Sequence, residues 1–323
     1  MPALQQEHFE HPADVLAVVA DRQARGEPVA LAIATAIEGG SARPRGTLVA
    51  VDGTGRMFGY VSNGCIDADL AHQMREALDR QSVGSIRYGA GSPFMDLRLP
   101  CGGAIDLVID PTPDREAVAV TLAALENRQA ATLHVHPELG LLAPGEDRTR
   151  GDAIGFTYRP RARLSVAGRG AVLRAAAQQA HLLGMEIAVA SPDKTDLDAL
   201  SGLNPIQSLH LTRPEAGADL PFDTETAVLL LFHDHDWETA ILTGALESDA
   251  PYIGALGSRE THAKRRVALM EAGIDPAQIA RVRGPVGLVP SLRNASEIAV
   301  SALAEVIAAF RARRRAMGVD EAA

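Results

Sequence analysis

The sequence predicts an α/β protein of two domains: a mixed N-terminal α/β domain at 1–140 and a doubly wound parallel sheet at 161–323, joined by a linker at 141–160. Three observations carry that expectation. The chain has 323 residues, more than one hydrophobic core usually fills. Its middle, around 138–160, is rich in Gly, Pro, Arg and Asp, the composition of a connection. Beyond it, short apolar runs alternate with helical patterns, the rhythm of βαβ units and hence of a parallel sheet.

In the first domain, His11-Pro12-Ala13-Asp14 opens an amphipathic stretch that ends before Gly26, which reads as a helix. Val29 to Ile37 is a continuous apolar run and reads as a buried strand. The loop Gly39 to Gly46 follows. Thr47–Val51 and Met57–Val61 flank Asp52-Gly53-Thr54-Gly55, a hairpin signal. Asp67–Arg80 has a helical pattern with acid in its first turn. Strands are expected near Ser85–Tyr88 and Ala104–Ile109, a helix at Asp114–Asn127 and a strand at Ala131–Val135. In the second domain, strands are expected at Leu164–Ala167, Glu186–Ala190, Ser208–Leu211, Ala227–Phe232 and Tyr252–Leu256. Helices are expected at Ala171–Leu183, Trp237–Leu246, Arg259–Ala272, Pro276–Ile279 and Glu297–Arg315.

Composition narrows the classes of function. A net charge of −10 argues against a dedicated nucleic-acid binder, which needs a basic surface to neutralise phosphates. The Arg311–Arg315 cluster reads as the solvated end of a last helix, where cations suit the dipole. No run reaches the ~18 uncharged apolar residues of a membrane span, and Met1–Asp14 lacks the apolar core of a secretory signal. Two cysteines make no disulfide framework. A cytoplasmic protein with reduced thiols is the expectation.

Both thiols lie in glycine-rich turns, Ser62-Asn63-Gly64-Cys65-Ile66-Asp67 and Leu99-Pro100-Cys101-Gly102-Gly103. Glycine lets backbone approach a ligand closely there, and a thiol on a turn is available for soft-ligand or sulfur chemistry, whereas structural cysteines usually sit inside elements. Cys65 precedes the Asp67 helix, whose N-terminal amides favour an anion. Asp67 either caps that helix or orients a ligand amide. The loop Ser41-Ala42-Arg43-Pro44-Arg45-Gly46 places Arg43 and Arg45 one hairpin upstream, and their planar forks suit phosphate or carboxylate. Asp106 alternates with Ile105 and Leu107 and is expected to face solvent; Asp96 is a loop acid.

In the second domain, Gly168-Arg169-Gly170 stands at a strand-to-helix junction, where a dinucleotide fingerprint would begin. Leu173 occupies the place of the third glycine, and the acid expected for a ribose is missing, with Asp193 the nearest candidate. This Rossmann-like domain therefore argues against tight NAD(P) binding. His233-Asp234-His235-Asp236 ends an apolar strand and could ligate a metal. Gly257-Ser258-Arg259 opens a helix, with Ser258 as cap and an anion site as the competing reading. Two alternatives stay open on these residues, an NAD(P)-binding oxidoreductase and a small metal-dependent enzyme using His233 and His235.

Taken together, these segments resemble the XdhC/CoxI family of molybdenum-cofactor chaperones. The matching strings are Gly40–Pro44, Ser62–Asp67 and Leu99–Gly103, then His233-Asp234-His235, Tyr252–Arg259 with Arg265-Arg266, and Gly284–Leu288. The resemblance implies a cytoplasmic homodimer, a carrier and maturation factor rather than an enzyme. Its cargo would be the molybdenum cofactor, as molybdopterin or its dinucleotide form. Its partners would be a cysteine desulfurase and a xanthine dehydrogenase-like molybdenum hydroxylase as client. It implies cofactor contacts from Ser41, Arg43, Arg45, Gly64, Cys65, Asp67, Cys101 and Gly102, with Cys65 on the metal or its sulfur, and from Gly168, Gly170, Gly257, Ser258 and Arg259. This chain departs from the family at Ala42, Asn63, Ala171 and Val289-Pro290-Ser291, with the changes gathered in the Rossmann-like domain.

Overall fold

The structure is a computed structural model and describes residues 5–92, 102–146, 151–204, 206–232 and 236–317. The chain divides into two compact units between Pro160 and Arg161.

The first unit is built on a sheet of β1 (Gln6–Glu7), β2 (Val29–Glu38), β3 (Leu48–Asp52), β4 (Met57–Phe58), β5 (Gly84–Gly89) and β6 (Ala104–Asp110). Its order is β1-β4-β3-β2-β6-β5, with β1 parallel to β4 and every other pairing antiparallel. Strand periodicity sorts the apolar run of β2 onto two faces. Val29, Leu31 and Ile33 join a core with Val15, Leu16 and Val19 of α1 (Pro12–Ala24) and with Ala117, Val118 and Leu125 of α3 (Arg115–Glu126). Ala30, Ala32 and Ala34 lie under Leu70, Ala71 and Met74 of α2 (Asp67–Arg80). Small residues on that face let the helix sit close to the sheet.

The strand β2 is not regular. Its register with β6 shifts between Ala34 and Ala36, a bulge that takes Thr35 out of the ladder. The Thr35 hydroxyl then donates to the Asp106 carbonyl at 3.2 Å, and the Thr35 carbonyl accepts from Arg45 Nε at 3.0 Å. The hairpin forms as expected at Asp52, whose Oδ1 accepts from the Thr54 amide at 3.0 Å and the Arg56 amide at 3.1 Å. Its second strand is shorter than expected and stops at Phe58.

The described residues of 141–160, expected as a linker, pair into a sheet within the first unit. A small antiparallel sheet joins β7 (Ala131–His136), β8 (Gly140–Leu141) and β9 (Ile154–Tyr158) in the order β8-β7-β9. Leu141, Phe156 and Tyr158 enter the same core as α1 and α3, and the buried Tyr158 hydroxyl donates to the Gly46 carbonyl at 2.8 Å. Asp110 ties β8 to the main sheet by accepting from the Leu141 amide at 2.7 Å, and burial pushes its carboxyl above the ordinary range. The alternation Ile154, Phe156, Tyr158 is a half-buried strand signal that the surrounding Gly, Pro and Arg conceal.

The second unit is a doubly wound parallel sheet. Its strands are β10 (Arg163–Gly168), β11 (Glu186–Ser191), β12 (Gln207–His210), β13 (Thr226–Leu231), β14 (Tyr252–Ala255) and β15 (Val282–Arg283), in the order β12-β11-β10-β13-β14-β15. Counted within the domain this is 3-2-1-4-5-6, the Rossmann arrangement. On one face, α4 (Gly170–Leu182) and α9 (Ala295–Ala316) bury Leu173, Ala176, Ala302 and Val306 against Leu164, Val166 and Leu229, joined by Leu197 of α5 (Lys194–Leu200). On the other, α6 (Glu238–Glu247) and α7 (Arg259–Glu271) bury Ile241, Leu242 and Leu269 against Val228 and Leu230, near the short α8 (Pro276–Ile279). Truncating a side chain as enclosed as Leu173 to alanine costs about 3 kcal/mol in such a setting. Among the described residues no helix is long and apolar enough to cross a membrane.

Candidate functional site

Strand direction collects the predicted residues of the first unit at one end of its sheet. β1, β2, β4 and β5 run one way, and β3 and β6 run back. The 39–46 loop leaves the end of β2, the Tyr60–Ile66 turn follows the end of β4, and Gly102-Gly103 lead into β6 at that same end. Cys101 lies outside the described residues, as does Asp96, but its neighbours Gly102 and Gly103 do not. Gly103 is required by close approach, since a side chain there would collide with the Glu38 carbonyl. The turns after β4 and before β6 are three strand spacings apart, about 14 Å.

The Cys65 turn is held by a carboxylate. Asp67 is 1% exposed and accepts from the Val61 amide at 2.9 Å, the Ser62 hydroxyl at 2.6 Å and the Gly64 amide at 3.0 Å, with the Ser62 amide at 3.3 Å. It is the first residue of α2, behind the N-cap position of Ile66. It therefore does not cap the helix: its oxygens accept from the turn before it. Gly64 takes φ of 94°, a left-handed conformation that suits glycine, and open space surrounds it. The result is a rigid turn with Asn63, Gly64 and Cys65 exposed on its outer side and Cys65 a free thiol.

Beside this turn lies a groove of about 390 Å³ lined by Gln6, His8, Glu10, Tyr60, Ser62, Asn63 and Gly64. Sequence reasoning missed its wall from β1 and the segment after it, because a two-residue strand leaves no periodic signal. The Tyr60 hydroxyl donates to Glu10 Oε1 at 2.7 Å. Burial first, then that hydrogen bond, raises the Tyr60 pKa and keeps its proton in place. Arg43 lies over the Tyr60 ring at 4.8 Å and donates from Nη2 to the Glu10 carbonyl. Arg45 is exposed, anchored through Nε to Thr35, and sits 5.9 Å from the Phe156 ring. The two arginines thus differ: Arg43 braces two lining residues of the groove, Tyr60 and Glu10, while Arg45 is exposed to solvent. Ser41 shapes their loop by accepting from the Arg43 amide at 3.3 Å. Asp106 is half-buried rather than solvent-facing, because Arg87 pairs with it at 2.7 Å and with Glu38 at 2.8 Å.

In the second unit the glycine turn is already engaged. The Gly170 amide, at the start of α4, donates to Asp196 Oδ2 at 2.7 Å, and Arg174 Nε holds the other oxygen at 2.7 Å. Asp196 is fully buried. A protein carboxylate sits on the amide that a pyrophosphate would use in a dinucleotide site. Gly168 is needed for a different reason, since a side chain there would come within 2.7 Å of the Leu231 carbonyl. Asp193, the nearest candidate for a ribose acid, accepts from the Thr195 amide and caps α5. Ser258 accepts from the Thr261 amide at 3.1 Å, the plain cap of α7, and Gly257 and Arg259 flank it with Arg259 exposed. Behind that turn, Arg265 and Glu238 form a fully enclosed bidentate pair at 2.7 and 3.0 Å. His233 and His235 lie outside the described residues, and so does the metal reading that rested on them.

Fold and site define a class: a two-unit α/β protein whose first unit presents a thiol turn and whose second is a Rossmann domain. Residues 164–306 match the family described as the XdhC Rossmann domain, and residues 22–89 match the XdhC and CoxI family. The chain is 35% identical over 285 residues to the molybdenum cofactor insertion chaperone PaoD of Escherichia coli (strain K12), covering 87% of this chain and 83% of that one. It is 30% identical over 202 residues to the uncharacterized protein YqeB of the same organism, covering 60% of this chain and 36% of that one. A Bacillus halodurans crystal structure described as a xanthine dehydrogenase shares the fold, with a TM-score of 0.77 at 20% identity over 95% of this chain and 98% of that one. The chain belongs to the XdhC and CoxI family.

Proposed function

We propose that this protein binds and shelters a molybdenum cofactor, as molybdopterin or its dinucleotide form, and hands it to a molybdenum hydroxylase of the xanthine dehydrogenase kind. It supports sulfuration of the cofactor together with a cysteine desulfurase, and works in the cytoplasm as a homodimer. It is a carrier and maturation factor rather than an enzyme. One observation carries the reading: the arginine loop, the Cys65 turn and Gly102-Gly103 share one sheet end, in a chain 35% identical to a cofactor insertion chaperone.

In this reading Cys65 is the soft partner of the metal or its sulfur, as thiolate chemistry suits. Its turn needs no rearrangement to present the sulfur, because Asp67 already fixes the backbone. Arg45 offers its outer edge to the phosphate, and Arg43 acts as a positioning residue for the groove. Cys101 assists in the same handling of the cofactor. The NAD(P) alternative is weakened by the Asp196 carboxylate on the Gly170 amide.

Anaerobic purification followed by mass-spectrometric measurement of bound cofactor tests this. Wild type carries cofactor, Cys65→Ala carries severalfold less at unchanged stability, and Arg45→Ala retains less cofactor with a shallower dependence on salt. Undiminished cofactor in Cys65→Ala would remove the thiol from the site. Wild type that takes up no cofactor, even when mixed with it, would remove the function.

A further inference from the structure

We propose that the groove beside the Cys65 turn is a subsite for a 2-amino-4-oxopyrimidine-fused ring, the pterin end of the cargo, with Glu10 as the residue that reads it. That the ring is a pterin rests on the function proposed above; the recognition chemistry rests on the groove itself.

The groove is lined by a carboxylate, two aromatic rings and side-chain amides, with a volume of about 390 Å³, ample for a bicyclic ring. A 2-amino-4-oxo ring presents two parallel N–H donors, from its amino group and N3, along one edge. A carboxylate is the matching acceptor, and charge-assisted pairs of this geometry are strong and directional. The carboxylate of Glu10 is prepared for that role. Its Oε1 takes the Tyr60 hydroxyl at 2.7 Å, which tethers one of its two oxygens, and among the described residues no ion pair uses it. The Arg43 guanidinium nearby is turned to the Glu10 carbonyl and the Tyr60 ring instead. The His8 and Tyr60 rings stand 5.6 Å apart at 57°, giving the ring an aromatic surface to lie on. Asn63, exposed at the groove edge, supplies an amide donor for the 4-oxo oxygen. Asn63 is also one of the positions at which this sequence departs from the resemblance.

The test uses the full chain and three probes: pterin, lumazine (the same ring with oxygen in place of the 2-amino group) and guanosine. Fluorescence titration is expected to show pterin binding, with lumazine at least about tenfold weaker, because a site built for a donor rejects the analogue that lacks it. Glu10→Gln, an exposed substitution that leaves the melting temperature unchanged, loses pterin affinity about tenfold and loses the preference over lumazine. Cys65→Ala binds pterin like wild type. Equal binding of pterin and lumazine, or wild-type pterin affinity in Glu10→Gln, overturns the subsite. Guanosine binding more tightly than pterin overturns the pterin assignment and gives the groove to a nucleotide end. Failure of the wider function reads differently: a chain that takes up no cofactor but discriminates pterin from lumazine keeps the subsite and loses the carrier role.

Discussion

The carboxylate of Asp67 holds the amide of Gly64 at 3.0 Å, one residue before the thiol of Cys65. The same group holds the Val61 amide at 2.9 Å and the Ser62 hydroxyl at 2.6 Å, all in buried or half-buried surroundings. Removing the acid strands several donors at once. Asp67→Ala is expected to lose about 2–4 kcal/mol in urea unfolding, the range for orphaned buried polar groups. Asp67→Asn, which keeps one acceptor, loses about half of that. Cys65→Ala stays within about 0.5 kcal/mol of wild type, as an exposed change should. A Cys65→Ala loss as large as that of Asp67→Ala would mean the thiol has a structural task.

The Asp196 carboxylate bridges the Gly170 amide and Arg174, so the start of α4 is satisfied from within the chain. Asp196→Ala is expected to cost about 2–3 kcal/mol, since a fully buried group with three partners is lost. A double-mutant cycle with Arg174→Ala should show the two losses to be strongly non-additive. NADH fluorescence titration of wild type is expected to show no saturable binding. Micromolar binding would mean the carboxylate yields its place to pyrophosphate and would restore the oxidoreductase alternative.

Periodic signals made most of the architecture legible. The apolar runs at 29–37 and 227–232 and the βαβ rhythm after 160 are long-period features, and each became the expected element. The glycine turns were legible as places where backbone approaches something closely. What they approach was not: Gly103 faces the Glu38 carbonyl and Gly170 faces Asp196, partners 65 and 26 residues away in sequence. The same limit hid the role of Asp67, which looks like a cap in sequence but folds back on the turn before it. Two-residue strands such as β1 and β8 carry no pattern, so the groove wall at His8 and Glu10 and the pairing of β8 and β9 onto the expected strand β7 emerged only in three dimensions.

Arg265 and Glu238 form a pair with both side chains 2% exposed, and Arg265 also donates to the Leu256 carbonyl at 2.8 Å. Two charges in such a setting are costly to separate from each other, though not necessarily better than an apolar filling. Glu238→Gln or Arg265→Met alone is expected to destabilise by about 3–5 kcal/mol because an uncompensated charge remains. The double variant Glu238→Leu with Arg265→Met recovers most of that loss. Denaturation of the three variants measures it, and a double variant as unstable as the sum of the singles would mean the pair acts through its hydrogen bonds to the Leu256 turn.

His262 sits against this pair, with Arg265 Nη1 3.4 Å from its Nδ1. Burial lowers its pKa from the ordinary value of 6.5, and the positive charges of Arg265 and Arg266 lower it further against the opposing pull of Glu238. The geometry agrees, because an Nδ1 facing an arginine N–H serves as an acceptor and protonation would turn it into a second donor. A lowered folded pKa means the unfolded chain binds the extra proton first as pH falls. The associated stability is present above the unfolded value near 6.5 and is lost as pH falls through the folded value. Urea midpoints compared at about pH 7.5 and about pH 5.5 should therefore fall more steeply for wild type than for His262→Gln, a group of similar reach that cannot titrate there. Identical slopes would show that the imidazole titrates alike in the folded and unfolded chain.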